Sequence, residues 1–358
     1  MVSGVKVSVV VPTYNERENI DELLSRIDAS LKNVDYEVVV VDDNSPDGTA
    51  ERVIELSSRY PVKLVRRAGK FGLSSAILDG VKVCSGDYVV VMDADLQHPP
   101  EVVKDLLRYA GEYDIIIASR YVKGGGTTGF PLIRRVISLG ATYMARILIP
   151  QARKVKDPLS GFFLVRRELI EKTELVVPSG YKTLLDIISQ HNNLKICEVP
   201  YIFQARVRGK SKLSRKEILN YVKQLLIIMP DYYKFAVVGT SGVLVNLGVL
   251  WFLSYVLLIQ HFIASVIGIE ASLINNFIWN DLWTFKKRRF GKRWWRLLKY
   301  HVSTAIGTLA QYTVSQIAYY ALLRESLSSQ TLGILVGFIA NYLISKKYVW
   351  ARPNQTTL

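Results

Sequence analysis

Cysteine and histidine are scarce in this chain. Two cysteines, Cys84 and Cys197, stand among 358 residues, both in apolar or mixed surroundings. They exclude a disulfide framework and fit a reducing compartment. The four histidines, His98, His191, His261 and His301, are scattered and show no zinc-ligand spacing. There is no phosphate-loop sequence and no serine-histidine-aspartate arrangement. A cleavable leader is also not expected, because the first apolar run, residues 7–11, is too short and runs straight into a polar turn.

Acidic residues are sparse in one part only. Lys and Arg number 46 against 31 Asp and Glu, a net +15. From Lys234 onward there are thirteen basic and three acidic residues, so most of the excess lies there. A basic excess suits nucleic acid or an anionic membrane face. Here it flanks long apolar runs, which assigns it to a lipid bilayer and not to nucleic acid. The runs cover about 235–257, 262–283, 300–323 and 330–349. Each suffices for a ~30 Å hydrocarbon core, which needs about 20 helical residues. The loop 286–293 and the pair Lys346-Lys347 are basic, and the other connections are nearly uncharged. The expectation is four spans, with the N-terminal domain, that loop and the C-terminus in the cytoplasm. Asn275, Asn276, Asn280 and Asp281 fall in or near the second span, where polar groups are either functional or solvated at the interface.

The N-terminal part reads as α/β. Residues 7–11, 36–41 and 88–92 are continuous apolar strands, each ending in a polar turn, the pattern of a parallel sheet flanked by helices. Further expectations are a short strand in 60–65, a helix in 72–80 closed by Gly80, a strand in 114–119 ending at Arg120, and a flexible loop at Gly124-Gly125-Gly126. Ligands of such sheets bind at the carboxyl ends of the strands. At one of those ends stand Asp93 and Asp95, two residues apart and therefore on one face. With the Gln97 amide they offer hard oxygen donors for Mg²⁺ or Mn²⁺, phosphate oxygens completing the shell.

The motifs Pro12-Thr13-Tyr14-Asn15-Glu16, Val41-Asp42-Asp43-Asn44-Ser45-Pro46-Asp47-Gly48-Thr49 and Asp93-Ala94-Asp95-Leu96-Gln97-His98-Pro99-Pro100, in this order, resemble the inverting nucleotide-sugar glycosyltransferases of the GT-A fold. Among these, the dolichol-phosphate mannose synthases are most similar. The resemblance spans about 5–230, and the remainder resembles the four-helix GtrA-type membrane domain. It implies two domains, 1–233 and 234–358, and transfer of mannose from GDP-mannose to dolichyl (polyprenyl) phosphate with inversion. By the same resemblance Pro12, Tyr14, Glu16, Val41, Asp43, Asp93, Ala94, Asp95, Gln97 and Arg120 contact the donor. Arg206 and Lys212 match a basic loop that closes over its diphosphate. Asp157 matches a segment near the active site, where it steadies an arginine or a sugar hydroxyl or caps a turn. His98 reads as an outer-shell neighbour of Gln97.

A phosphate acceptor needs no carboxylate base, since its second pKa is roughly 6 and it is largely ionised near neutrality. It needs a cationic clamp. Arg120 closes a strand on the ligand edge. Arg134 and Ser138 lie one turn apart on an amphipathic segment at about 131–149. That segment and a second at about 214–229 read as helices lying in the membrane interface. The Gln-x-x-Arg-Trp sequence of many processive polysaccharide synthases is absent, which favours a single transfer. A UDP-sugar donor, and a lipid-linked-sugar transporter with a nucleotide-sensing domain, are the alternatives. A homo-oligomer is compatible with the sequence but not dictated by it.

Overall fold

Valine-rich segments that are buried on both faces build the sheet at the centre of the first unit. The computed structural model describes residues 4–129, 131–205, 215–323 and 326–351, and the chain divides into two units, 1–229 and 230–358. The strands of the first unit are β1 (Lys6–Thr13), β2 (Asp35–Asp42), β3 (Val62–Arg66), β4 (Tyr88–Val91) and β5 (Ile115–Ser119). They are followed by β6 (Gly126–Thr127), β7 (Phe163–Arg166), β8 (Ile196–Pro200) and β9 (Ile202–Phe203). Seven of them form one sheet in the order β3-β2-β1-β4-β7-β5-β8. The helices α1 (Arg17–Leu31), α2 (Thr49–Leu56), α3 (Leu73–Val81) and α4 (Val102–Leu107) cross between strands.

The sheet is mixed, and this corrects the expectation of a parallel one. β7 runs antiparallel to both β4 and β5. The other neighbours in the sheet pair in parallel. β4 and β5 therefore point the same way, and their carboxyl ends share an edge with those of β1, β2 and β8. The reversal puts the amino end of β7, with the turn 157–161 before it, on that same edge. Two local expectations also change. Gly80 lies inside α3 and does not close it. A Cβ there would stand 2.7 Å from Val10 Cγ1 and 2.8 Å from Val41 Cγ2, so glycine is what lets the helix rest on β1 and β2. The glycine-rich loop is partly strand, because Gly126 and Thr127 pair with β9.

Three further helices follow: α5 (Leu132–Leu148), α6 (Arg167–Glu171) and α7 (Thr183–Gln190), and then α8 (Arg215–Ile228). α5 leaves Leu132, Ile133, Val136, Ile137 and Ile147 exposed, and α8 leaves Ile218, Leu219 and Ile227 exposed. The opposite face of α8 is held by polar contacts. Tyr221 donates to the carbonyl of Ala141 at 2.6 Å, and Gln224 donates to the carbonyl of Lys182 at 3.0 Å and to Asp186 Oδ1 at 2.6 Å. Asp186 is fully buried, and burial pushes its carboxyl up to about 6.

The second unit contains α9 (Asp231–Trp251), α10 (His261–Trp279), α11 (Arg293–Ile317) and α12 (Ser326–Ile344). α9 with its final turn, Asp231–Val256, is long and apolar enough to cross a membrane. Asn280 and Asp281 are buried, so interfacial solvation does not explain them. Arg296 donates to both oxygens of Asp281, at 2.8 and 3.1 Å, and the Trp350 indole donates to Oδ1 at 3.1 Å. Phe285 stacks on Trp350 at 4.5 Å.

Two outcomes are expected. Gly80→Ala should cost about 1–3 kcal/mol through overpacking, read as a lower thermal midpoint. For Asp186, the folded pKa lies above the unfolded one. Its stabilising contribution is therefore full below about 4 and is lost as pH rises through about 6. The thermal midpoint of Asp186→Asn relative to wild type should accordingly be higher at pH 7.5 than at pH 4.5.

Candidate active site

The first two strand ends form one wall of the site. Asp42 is spent on structure: it accepts from Thr13 Oγ1 at 3.1 Å, from the Ser45 hydroxyl at 2.5 Å and from the Ser45 N–H at 2.8 Å. Asp43 is thereby turned outward, where the buried guanidinium of Arg67 meets it. Arg67 also donates to Ser75 Oγ at 2.7 Å and pairs with Asp79 at 3.1 Å. Burial pushes the Asp43 carboxyl above its ordinary range, against the pull of Arg67. Tyr14 is exposed, with the Lys70 ammonium 3.0 Å from its ring centroid. Glu16 accepts from Asn19 Nδ2 at 2.6 Å. Pro12 and Val41 are buried, and the Val41 side chain lies toward Gly80 under α3. Val41 therefore gives this wall shape and backbone, not a side-chain group.

The turn after β4 is tightly held. Leu96 is buried with φ +62°, a conformation a bulky side chain adopts only when its surroundings impose it. Asp95 Oδ1 accepts the Gln97 N–H at 3.1 Å. His98 is buried and its Nδ1 accepts the Asp93 N–H at 3.0 Å. The imidazole stacks on Phe162 at 5.1 Å, and burial lowers its pKa to about 4, so it is neutral at physiological pH and serves to hold the turn. Gln97 and Gln204 bind reciprocally: Gln97 Nε2 donates to the Gln204 carbonyl at 2.9 Å, and the Gln204 N–H donates to the Gln97 carbonyl at 3.0 Å. Ala94 and Asp95 are buried, whereas the Asp93 side chain is 39 % exposed. Among the described residues, no group of three or more His, Cys, Asp and Glu forms a metal cage. The oxygen donors available near this turn are the carboxylates of Asp93 and Asp95 and the Gln97 amide oxygen. Such a set fits Mg²⁺ or Mn²⁺ when a ligand's phosphate oxygens supply the remaining positions.

Arg120, at the end of β5, is fixed by Asp157 from the turn before β7. Arg120 Nε and Nη2 donate to Asp157 Oδ2 and Oδ1, each at 2.8 Å, and the Arg120 N–H reaches Oδ2 at 3.0 Å. Burial works against the cation, yet the carboxylate keeps the guanidinium protonated with its pKa above the ordinary value. Nη1 makes no hydrogen bond to the described residues. Glu198 holds the turn by accepting the N–H groups of Lys156 at 2.8 Å and Asp157 at 3.0 Å. Ser138 on α5 shares a 2.9 Å hydrogen bond with the Tyr121 hydroxyl, which ties that helix to the strand end carrying Arg120. Arg134 lies half-buried one turn earlier on α5. Arg206 and Lys212 lie outside the described residues.

Sequence reasoning missed Arg67 and Lys182. Arg67 follows β3 directly, as Asp43 follows β2, so the strand-end argument applied once more would have found it. Lys182 stands just before α7, and no motif marks it.

Residues 8–173 match the profile described as "Glycosyl transferase family 2", and residues 234–350 match "GtrA/DPMS, transmembrane domain". Fold, strand-end aspartates and both matches define the class: a family 2 glycosyltransferase with a GT-A domain, joined to a membrane domain. The dolichol-phosphate mannosyltransferase of Pyrococcus furiosus is 46 % identical over 353 residues, covering 97 % of this chain and 99 % of that protein. That of Saccharomyces cerevisiae is 38 % identical over 234 residues, 62 % of this chain and 86 % of that one. The chain thus belongs to the dolichol-phosphate mannosyltransferase family. Among solved structures, glucosyl-3-phosphoglycerate synthase from Mycobacterium tuberculosis is 24 % identical with a TM-score of 0.48, covering 62 % of this chain and 80 % of that one.

Asp157→Ala, which strands a buried guanidinium, should cost about 3–5 kcal/mol in unfolding experiments. The double variant Asp157→Ala/Arg120→Ala should cost less than the two single losses added together.

Proposed function

We propose that the protein transfers mannose from GDP-mannose to dolichyl or another polyprenyl phosphate, with inversion and with Mg²⁺ or Mn²⁺. One observation carries this reading. A chain matching a dolichol-phosphate mannosyltransferase along nearly its whole length sets an Asp157-locked Arg120 on the same sheet edge as Asp93 and Asp95. Tyr14 supplies an aromatic face for the nucleoside. Glu16 and Asp43 accept from base or ribose donors, with Pro12 and Val41 shaping the pocket. Asp95, Gln97 and Asp93 hold the metal, which when bound offsets the charge that gathers on the departing diphosphate. Arg206 and Lys212 pair with the same oxygens.

Arg120, Arg134 and Ser138 hold the acceptor phosphate. One of its oxygens attacks the anomeric carbon, and the bond from that carbon to the β-phosphate oxygen breaks as GDP leaves. The clamp fits the chemistry, because an ionised phosphate needs orientation and charge balance and has no proton to surrender. α5 and α8, with apolar residues exposed along them, lie in the membrane interface and bring the acceptor to Arg134. Residues 1–233 are the catalytic domain on the cytoplasmic face, and residues 234–358 anchor it through four spans.

The test is transfer of label from GDP-mannose to a chloroform-soluble lipid by purified full-length protein with dolichyl phosphate. Metal-dependent labelling that Asp95→Ala abolishes, falling by at least about 100-fold, is expected. Labelling from UDP-glucose alone would overturn the donor and the sugar, and silence with every donor would overturn the transfer reading.

A further inference from the structure

Lys182 is a half-buried ammonium whose hydrogen bonds go to no carboxylate among the described residues. Its Nζ donates to the carbonyl of Leu159 at 2.9 Å and lies 4.5 Å from the ring centroid of Tyr181. Both contacts are neutral. Asp157, two residues before Leu159, has committed both oxygens to Arg120. Burial, together with the like charge of Arg120, brings the lysine down to about 8, while the carboxylates of Asp157, Asp93 and Glu217 act in the opposite sense. An ammonium taken out of water without a paired anion is costly, and proteins retain one where a ligand brings the missing charge.

The position fits such a ligand. Leu159 belongs to the 157–161 turn. At the end of that turn a Cβ on Gly161 would lie 3.8 Å from Asp93 Oδ2 and 3.3 Å from His98 Cε1. Lys182 therefore adjoins the loop that faces Asp93 on one side and holds Arg120 on the other. On its far side, its own carbonyl accepts from Gln224 of α8, and Tyr221 of α8 reaches α5, the helix that carries Arg134 and Ser138. The lysine thus stands where the strand-end site meets the two helices with exposed apolar faces.

We infer that the Lys182 ammonium binds a phosphate oxygen of a substrate in this site. The inference rests on the transfer reading above and adds a cation to it. The phosphate is either the acceptor monoester or the donor diphosphate, and the two are separable by experiment.

Full-length wild type, Lys182→Met and Lys182→Arg are compared. Without ligand, Lys182→Met should unfold at the wild-type temperature or above, because it removes a half-buried charge that no carboxylate meets by a hydrogen bond among the described residues. A midpoint several degrees lower would show that the lysine only holds the Leu159 turn, and would overturn the inference. In the transfer assay, the Met variant should raise KM at least about 10-fold for one phosphate substrate, and the Arg variant should recover most of it. A rise for polyprenyl phosphate with GDP affinity unchanged identifies the acceptor, and a rise for GDP-mannose with weakened GDP binding identifies the donor. Unchanged KM for both substrates would overturn the inference. A direct binding readout keeps it apart from the transfer reading. Inorganic phosphate, as a stand-in for the acceptor monoester, and inorganic pyrophosphate with Mg²⁺, for the donor diphosphate, should raise the thermal midpoint of wild type, and one of the two should raise it less in Lys182→Met, even if no mannose is transferred. Equal shifts of wild type and Lys182→Met with both ligands would overturn the inference and leave the transfer reading standing.

Discussion

A guanidinium enclosed in protein must be answered by a carboxylate, and Arg120 is answered by Asp157 through two bonds of 2.8 Å. The pair joins two segments far apart in sequence, the end of β5 and the turn before β7. They meet because β7 is reversed in an otherwise parallel sheet. Were β7 parallel, its leading turn would lie on the opposite edge and Arg120 would be a buried charge without a partner. Glu198 extends the arrangement by gripping the backbone of the Asp157 turn, and Tyr121 extends it to Ser138 on α5.

The same economy divides the neighbouring carboxylates between structure and chemistry. Asp42 is consumed by Thr13 and Ser45, which frees Asp43 to face Arg67 at the edge. Asp95 is buried and caps its own turn, while Asp93 keeps part of its side chain in solvent. His98 is neutral and packed among aromatic rings, so it holds the backbone of the β4 turn without adding charge to it.

The membrane domain follows a different rule. Several of its polar residues are satisfied by one another: Asp281 is shared by Arg296 and Trp350, and Asn275 donates to Ser241 between α9 and α10. Gly242 leaves room for the Asn276 side chain, as small residues do where helices approach closely. These pairs join elements distant in sequence, so the cost of enclosing them is offset by the contacts they specify.

Hydrophobic runs and turn chemistry are local properties, and they were legible. The strands at residues 7–11, 36–41 and 88–92, the polar turns that end them, and the amphipathic segments of α5 and α8 all follow from residue order. The strand-end argument put Asp43, Asp93, Asp95 and Arg120 on a common edge, since side-chain alternation and parallel pairing suffice for that. Partnership was not legible. Asp157 could be read as steadying an arginine, but its partner, the burial of both groups and the reversal of β7 required the folded sheet. Gly80 looked like a helix terminator because its neighbours in sequence say nothing of Val10 and Val41 beneath it. Arg67 and Lys182 are ordinary basic residues in a basic chain until packing buries the one and half-buries the other. Residue order alone establishes which groups can carry charge, metal or apolar surface. Which charges are spent on one another, and which remain for a ligand, is settled by the folded chain, because desolvation and pairing depend on contacts between distant segments.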